Sequence, residues 1–147
     1  MKKTVSHSTQ RWIDRAAGLA LANADDGEYN LGAIIVKGGS VLSYGTNRQR
    51  NNPHNGTEVP RQHWSFCAEQ TALNKLKPGV AKGATIYIAR ITPGLNTRLA
   101  HPCPRCTEMI LAAGIAKVCY TGQEDDIIIE RIRTFHAIPR TKIRVAA

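Results

Sequence analysis

The chain has 147 residues, 42% of them hydrophobic, enough for one domain with a real core, and no apolar run approaches the length of a membrane-spanning helix. Twenty lysines and arginines face eleven aspartates and glutamates, so the formal charge is +9. That surplus favours an anionic partner, either a phosphorylated small molecule or a nucleic acid, without choosing between them.

In chain order, Met1-Lys2-Lys3-Thr4 is followed by polar residues where a secretory segment would carry an apolar core, so a cytoplasmic location without a membrane partner is the default expectation. Ser8 or Thr9 can cap a first helix to about Asn23, because Trp12, Ala16, Leu19 and Ala20 recur at helical spacing. Asp25-Asp26-Gly27 ends it. Residues 31–36 and 41–44 read as strands joined by the tight turn Lys37-Gly38-Gly39-Ser40. Residues 47–65 form a polar stretch, and a structureless loop of that length in a compact domain is usually functional. Cys67 opens a second helix to about Leu76, which Lys77-Pro78-Gly79 ends. Residues 84–89 are a third strand and residues 90–102 another loop. Pro104 starts a third helix through about Ala113 with Gly114 as its stop, and residues 117–120 are a fourth strand. Ile128, Ile132 and Phe135 predict a fourth helix over residues 124–135, and residues 142–145 can be a last strand. The order αββαβαβαβ combines an antiparallel hairpin with a strand–helix–strand alternation that argues for parallel pairing. Residues 1–147 are thus expected to form a single α/β domain.

Two stretches carry chemistry: Ser65-Phe66-Cys67-Ala68-Glu69-Gln70-Thr71-Ala72 and His101-Pro102-Cys103-Pro104-Arg105-Cys106. Three thiols so arranged can fill three corners of a zinc tetrahedron. The fourth corner stays open for water, as a catalytic zinc requires and a structural zinc avoids. The cysteines fall at the starts of predicted helices, where free backbone N–H groups and the helix dipole favour the thiolate that binds metal. Glu69, just inside its helix, can share the pocket with Cys67, take a proton from a metal-activated water and give it back. The competing reading is a closed, inert site with His101 or Cys119 as fourth ligand. Zinc ribbons and fingers usually show two close cysteine pairs, however, and here Cys67 stands alone before Ala-Glu. Cys119, in the apolar run Ala116-Lys117-Val118-Cys119-Tyr120, reads as a buried strand residue.

The Cys-Ala-Glu and Pro-Cys-x-x-Cys pair resembles the signature of the zinc-dependent nucleobase deaminases. Over nearly the whole chain the element order is similar to the cytidine deaminase-like fold, three layers in which a mixed five-stranded sheet carries helices on both faces. The stretch around Cys67 looks like the version in deaminases of free cytidine and deoxycytidine. The stretch around Cys103, with Ala112-Ala113-Gly114-Ile115-Ala116-Lys117-Val118 after it, resembles the deoxycytidylate deaminases, which usually have histidine where Cys67 stands. The resemblance implies Zn2+ on Cys67, Cys103 and Cys106, Glu69 as the catalytic acid–base, and a homo-oligomer. It also implies hydrolysis of the cytosine amino group of a free (deoxy)cytidine nucleoside or nucleotide, with dCMP slightly favoured. Asn47, at the end of the second strand, stands where the family often has a substrate-binding asparagine; its other reading is a turn residue. Arg48, Trp64, Ala68 and Pro102 are expected as further substrate contacts.

Departures from the family bear on substrate. Close relatives often follow the glutamate with an arginine that offsets thiolate charge; here Gln70 follows, and Arg105 or Arg90 are the candidates to replace it. Free-cytidine deaminases usually carry Asn-x-Glu, but Asn47 precedes Arg48-Gln49, which suggests room for a phosphate near Arg48, Arg50 or Arg61. His63 and Trp64 could line the base pocket, Trp64 by stacking, or Trp64 could belong to the core. Two other functions stay open. One is deamination of cytosine or adenine in single-stranded DNA or RNA, weakened by the few stacking aromatics (two Trp, two Phe, four Tyr). The other is an inert zinc-stabilised binding module, against which Glu69 argues.

Overall fold

A computed structural model describes residues 5–22, 30–49, 65–92, 96–123 and 126–132. Helix α1 spans His7–Ala22, and its cap lies earlier than expected, at Ser6. The Thr9 N–H donates to Ser6 Oγ (3.2 Å) and the Gln10 N–H to the Ser6 carbonyl (3.0 Å). Strands β1 (Asn30–Lys37) and β2 (Ser40–Thr46) form the predicted hairpin. Gly38 and Gly39 turn it with φ of 59° and 79°, a left-handed pair that glycine adopts without steric cost.

The next strands are β3 (Arg48–Gln49) and β4 (Ser65–Phe66), an antiparallel ladder of two residue pairs. The stretch expected to be structureless therefore begins and ends in paired backbone, while residues 50–64 lie outside the described residues. Helix α2 (Ala68–Asn74), strand β5 (Thr85–Ile91), strand β6 (Thr97–Arg98), helix α3 (Pro104–Ala112) and strand β7 (Lys117–Thr121) follow. Residues 90–102, expected as a loop, contain the end of β5 and its short antiparallel partner β6.

Strand β8 (Ile127–Arg131) corrects the predicted fourth helix. It runs antiparallel to β7, with Tyr120 opposite Ile128 and Val118 opposite Glu130. The run Ile127-Ile128-Ile129 is β-branched and favours extended backbone. Ile127 packs on the α1 side of the sheet and Ile128 on the α2/α3 side, which is a period of two. Ile128 and Ile132 both reach the α2/α3 side, and that four-residue spacing is what imitated a helix. The strand expected at residues 142–145 lies outside the described residues.

The main sheet has the order β2-β1-β5-β7-β8, with β6 beside β5. Strand β1 is antiparallel to β2 and β5, whereas β5, α3 and β7 form a parallel crossover. Ala33, Ile35, Ile86, Ile88, Val118 and Tyr120 pack against α2 and α3 on one face. Ile34, Val36, Tyr87, Ala89 and Cys119 pack against α1 on the other, giving the expected three layers. Cys119 is fully buried, as predicted for a strand residue. No described helix is long and apolar enough to cross a membrane.

One glycine sets the position of α2. A Cβ on Gly45 would lie 2.6 Å from the Ala72 nitrogen, 2.7 Å from the Ala68 carbonyl oxygen and 2.8 Å from Thr71 Cβ. The absence of a side chain at Gly45 lets the α2 backbone rest directly on β2, one turn from Cys67.

Candidate metal centre

Cys67 and Cys103 occupy equivalent places, the N-cap positions of α2 and α3. Both are extended (φ −69°, ψ 152° and φ −66°, ψ 165°), and Pro104 opens α3 with its preset φ. A threonine four residues on secures each helix start. The Thr71 N–H and Oγ1 both donate to the Cys67 carbonyl (3.0 and 3.1 Å), and the Thr107 N–H donates to the Cys103 carbonyl (2.8 Å). Thr107 Oγ1 adds a longer contact to the Pro102 carbonyl (3.4 Å). Cys106 sits fully buried in the first turn of α3.

The three sulfurs lie within 4.8 Å of one another. A zinc tetrahedron with Zn–S bonds of about 2.3 Å has edges of roughly 3.8 Å, which falls within that span. Without a cation the three thiols cannot all ionise. The Cys103 thiol is held below the ordinary range first by hydrogen bonds from Cys106 and Cys67, then by the N–H groups of Cys106 and Arg105. Those N–H groups fall short of a formal capping bond and act as dipoles aimed at the sulfur. Cys67 and Cys106 are pushed up, first by sharing their protons with Cys103. A divalent cation replaces those shared protons, which makes this donor set fit zinc.

Glu69 is buried, and burial raises its carboxyl to about 7, partly opposed by a hydrogen bond from its own backbone N–H. Its charge in turn raises Cys67 and Cys106, so it stands within electrostatic reach of the cluster. A carboxyl near 7 can both take and give a proton at neutral pH.

The other expected site residues divide. Pro102 is buried beside Cys103. Ala68 is fully buried with its methyl in the core, so its backbone is what it could offer a substrate. Asn47 Oδ1 accepts the Leu31 N–H (2.9 Å), and the Asn47 N–H donates to the Leu31 carbonyl (3.3 Å). The asparagine thus ties the end of β2 to β1. Arg48 lies in β3 opposite Phe66, which brings it beside the strand that leads into Cys67. Trp64, His63, Arg50 and Arg61 lie outside the described residues.

Neither residue weighed as a fourth ligand joins the cluster. Cys119 packs on the α1 face of the sheet, opposite to α2 and α3. His101 Nδ1 contacts the Pro102 carbonyl at 2.8 Å, and Nε2 stands 3.7 Å from Glu130 Oε2. Arg105 contributes through its backbone N–H while its side chain is exposed. The Cys-x-x-x-Thr spacing of both helix starts was present in the sequence as a signal. Glu130 gave none, because its place depends on β8 being a strand.

The family described as cytidine and deoxycytidylate deaminase zinc-binding region matches residues 6–122. The dCMP deaminase from cyanophage S-TIM5, solved in apo form, is 25% identical, with coverage of 83% of this chain and 88% of that one and a TM-score of 0.58. The same phage protein in complex with dCMP and dUMP matches at 24% identity, 82% and 85% coverage and a TM-score of 0.58. The cytidine deaminase from Burkholderia pseudomallei matches at 22% identity, 87% and 94% coverage and a TM-score of 0.58. Comparison with curated proteins gives no match.

The cluster geometry makes metal content its own test. The unaltered chain is expected to carry about one zinc ion, and Cys67→Ser or Cys106→Ser to retain a small fraction of it after dialysis. Elemental analysis reads this directly, and full occupancy in both variants would exclude the three-sulfur site.

Proposed function

The chain belongs to the cytidine and deoxycytidylate deaminase family and is a zinc-dependent deaminase, and from this premise we propose that it hydrolyses the amino group of cytosine in a free (deoxy)cytidine nucleotide. In this reading Cys67, Cys103 and Cys106 hold the zinc and Glu69 moves the protons. The observation that carries it is three sulfurs gathered at two helix starts with a buried carboxyl, poised near 7, in their field.

When bound, the zinc supplies Lewis-acid activation of water at neutral pH. Glu69 takes a proton as the water oxygen attacks C4 of the base, and passes it to N3. The remaining proton of the added hydroxyl leaves with the exocyclic amine. The C4–N bond then breaks, ammonia departs, and C4 becomes the carbonyl of uracil. One carboxyl serves as base and acid in turn, which suits a group whose environment holds it near neutrality.

A deoxycytidine monophosphate substrate is supported by three facts. Arg48-Gln49 follows Asn47 where a sugar-binding acid is usual, the chain carries a formal charge of +9, and the phage relative has been solved with dCMP and dUMP. The β3–β4 ladder sets Arg48 next to the residues that precede Cys67. A homo-oligomer belongs to the same reading by analogy with the family.

Four outcomes are expected. Glu69→Gln keeps its zinc and its circular dichroism spectrum but loses about a hundredfold or more in kcat, since a general acid–base group is removed; near-normal turnover would move catalysis elsewhere. Ammonia release from a panel of cytidine, deoxycytidine, their monophosphates, adenosine, guanine and single-stranded oligonucleotides is expected to be fastest with dCMP. Arg48→Ala should weaken dCMP turnover more than that of deoxycytidine. Equal efficiency on nucleoside and monophosphate would select a plain cytidine deaminase, and turnover of oligonucleotides alone would select the polynucleotide reading. Light scattering should give a mass above the monomer; a monomer at working concentration removes the oligomer from the proposal.

A further inference from the structure

Pro102 and Pro104 flank Cys103 and remove two backbone donors from the turn that carries it. That turn is held through its carbonyls instead. The Pro102 carbonyl, in the peptide unit just before the Cys103 cap, receives His101 Nδ1 at 2.8 Å and Thr107 Oγ1 at 3.4 Å. A carbonyl can only accept, so the first contact is a hydrogen bond with the proton on Nδ1.

The ring that makes this bond is itself fixed on its other sides. The His101 side chain is only 6% exposed and meets the Tyr120 ring edge-on at 5.1 Å. Its Nε2 faces Glu130 Oε2 at 3.7 Å, and the same oxygen accepts the Tyr120 hydroxyl at 2.6 Å. Tyr120 is buried in β7, and Glu130 lies opposite Val118, on the same face of the sheet. The Ala100 N–H adds a tether to the Thr121 carbonyl at 2.9 Å. A chain of contacts therefore runs from the paired strands β7 and β8 to the peptide before Cys103, with hydrogen bonds at both ends and the 3.7 Å approach of Nε2 to Glu130 between them.

We infer that His101 and Glu130, braced by Tyr120, are positioning residues that hold the Cys103–Cys106 turn in the geometry needed for zinc. The inference rests on the reading that Cys67, Cys103 and Cys106 bind the ion. Groups that orient a ligand from outside the coordination shell matter because a thiolate turned away from the ion gives up part of its bond. His101 acts on the peptide of the ligand, and touches neither substrate nor metal in this role.

The test measures zinc affinity by competition with a chromogenic chelator, and the absorption bands of the Co2+-loaded protein, for the unaltered chain and three variants. His101→Phe keeps a ring against Tyr120 and loses both nitrogens; it should bind zinc about 10–100-fold more weakly and shift the thiolate-to-cobalt bands. His101→Asn retains a short donor for the Pro102 carbonyl and should recover most of the affinity and the spectrum. Glu130→Gln should fall between them, because the Tyr120 hydroxyl keeps an acceptor while the charge beside Nε2 is lost. Unaltered affinity and spectrum in His101→Phe overturn the inference, as does a loss that His101→Asn does not recover, which would reduce the network to packing. Where His101→Phe fails to fold, Glu130→Gln decides: weakened binding with shifted cobalt bands supports the inference, and unaltered behaviour overturns it. An unaltered chain that takes up no zinc would instead sink the cysteine assignment.

Discussion

Three sulfurs within 4.8 Å of one another form a concentration of potential negative charge that the chain alone does not tolerate. Hydrogen bonds among the thiols, with backbone N–H groups at Cys103, push the Cys103 thiol down and those of Cys67 and Cys106 up. With a divalent cation at the centre the same crowding becomes an asset, because each sulfur then bonds to positive charge instead of facing its neighbours. Much of the surrounding architecture is explained by the need to bring these groups together and to direct positive dipoles at them.

The two helix starts meet this need from opposite directions in sequence. Helix α2 follows the β1–β2 hairpin and is held to it by direct backbone contact at Gly45, where any side chain would intrude on the first turn. Helix α3 belongs to the parallel crossover between β5 and β7, whose register is fixed by pairs such as Ile86 with Val118. The crossover seats its helix on the face of the sheet that α2 also covers. Both helices therefore pack on the same face, with Ala72, Leu73 and Ile110 in one apolar cluster, and their N-termini share one end. Helix α1 takes the opposite face and leaves the chemistry undisturbed.

Glu69 shows how the same placement tunes reactivity. It lies two residues into α2, where its backbone N–H can stabilise the carboxylate, yet burial outweighs that bond and lifts its proton affinity towards neutrality. Gln70, where relatives often carry an arginine, adds no positive charge to this balance. The backbone N–H groups of Arg105 and Cys106 lower the Cys103 thiol, as expected of a helix start.

The sequence by itself determined the local order and the chemistry. Gly38 and Gly39 can hardly form anything but a tight turn, Pro104 and Gly114 bound α3, and the apolar run of residues 31–36 reads as a strand. The cysteines and Glu69 announced a metal centre with an acid–base group because few other functions need those residues at such spacing. Only the tertiary structure decided what depends on partners distant in the chain. Ile128 and Ile132 fit a helix and a strand equally well by spacing, and pairing with β7 settled the choice for Ile127–Arg131. With that choice came the place of Glu130 beside His101, and with the β1–β2 hairpin came the internal use of the Asn47 carboxamide. Periodicity reports which side of an element is buried, but the identity of the neighbour that buries it is a property of the assembled sheet.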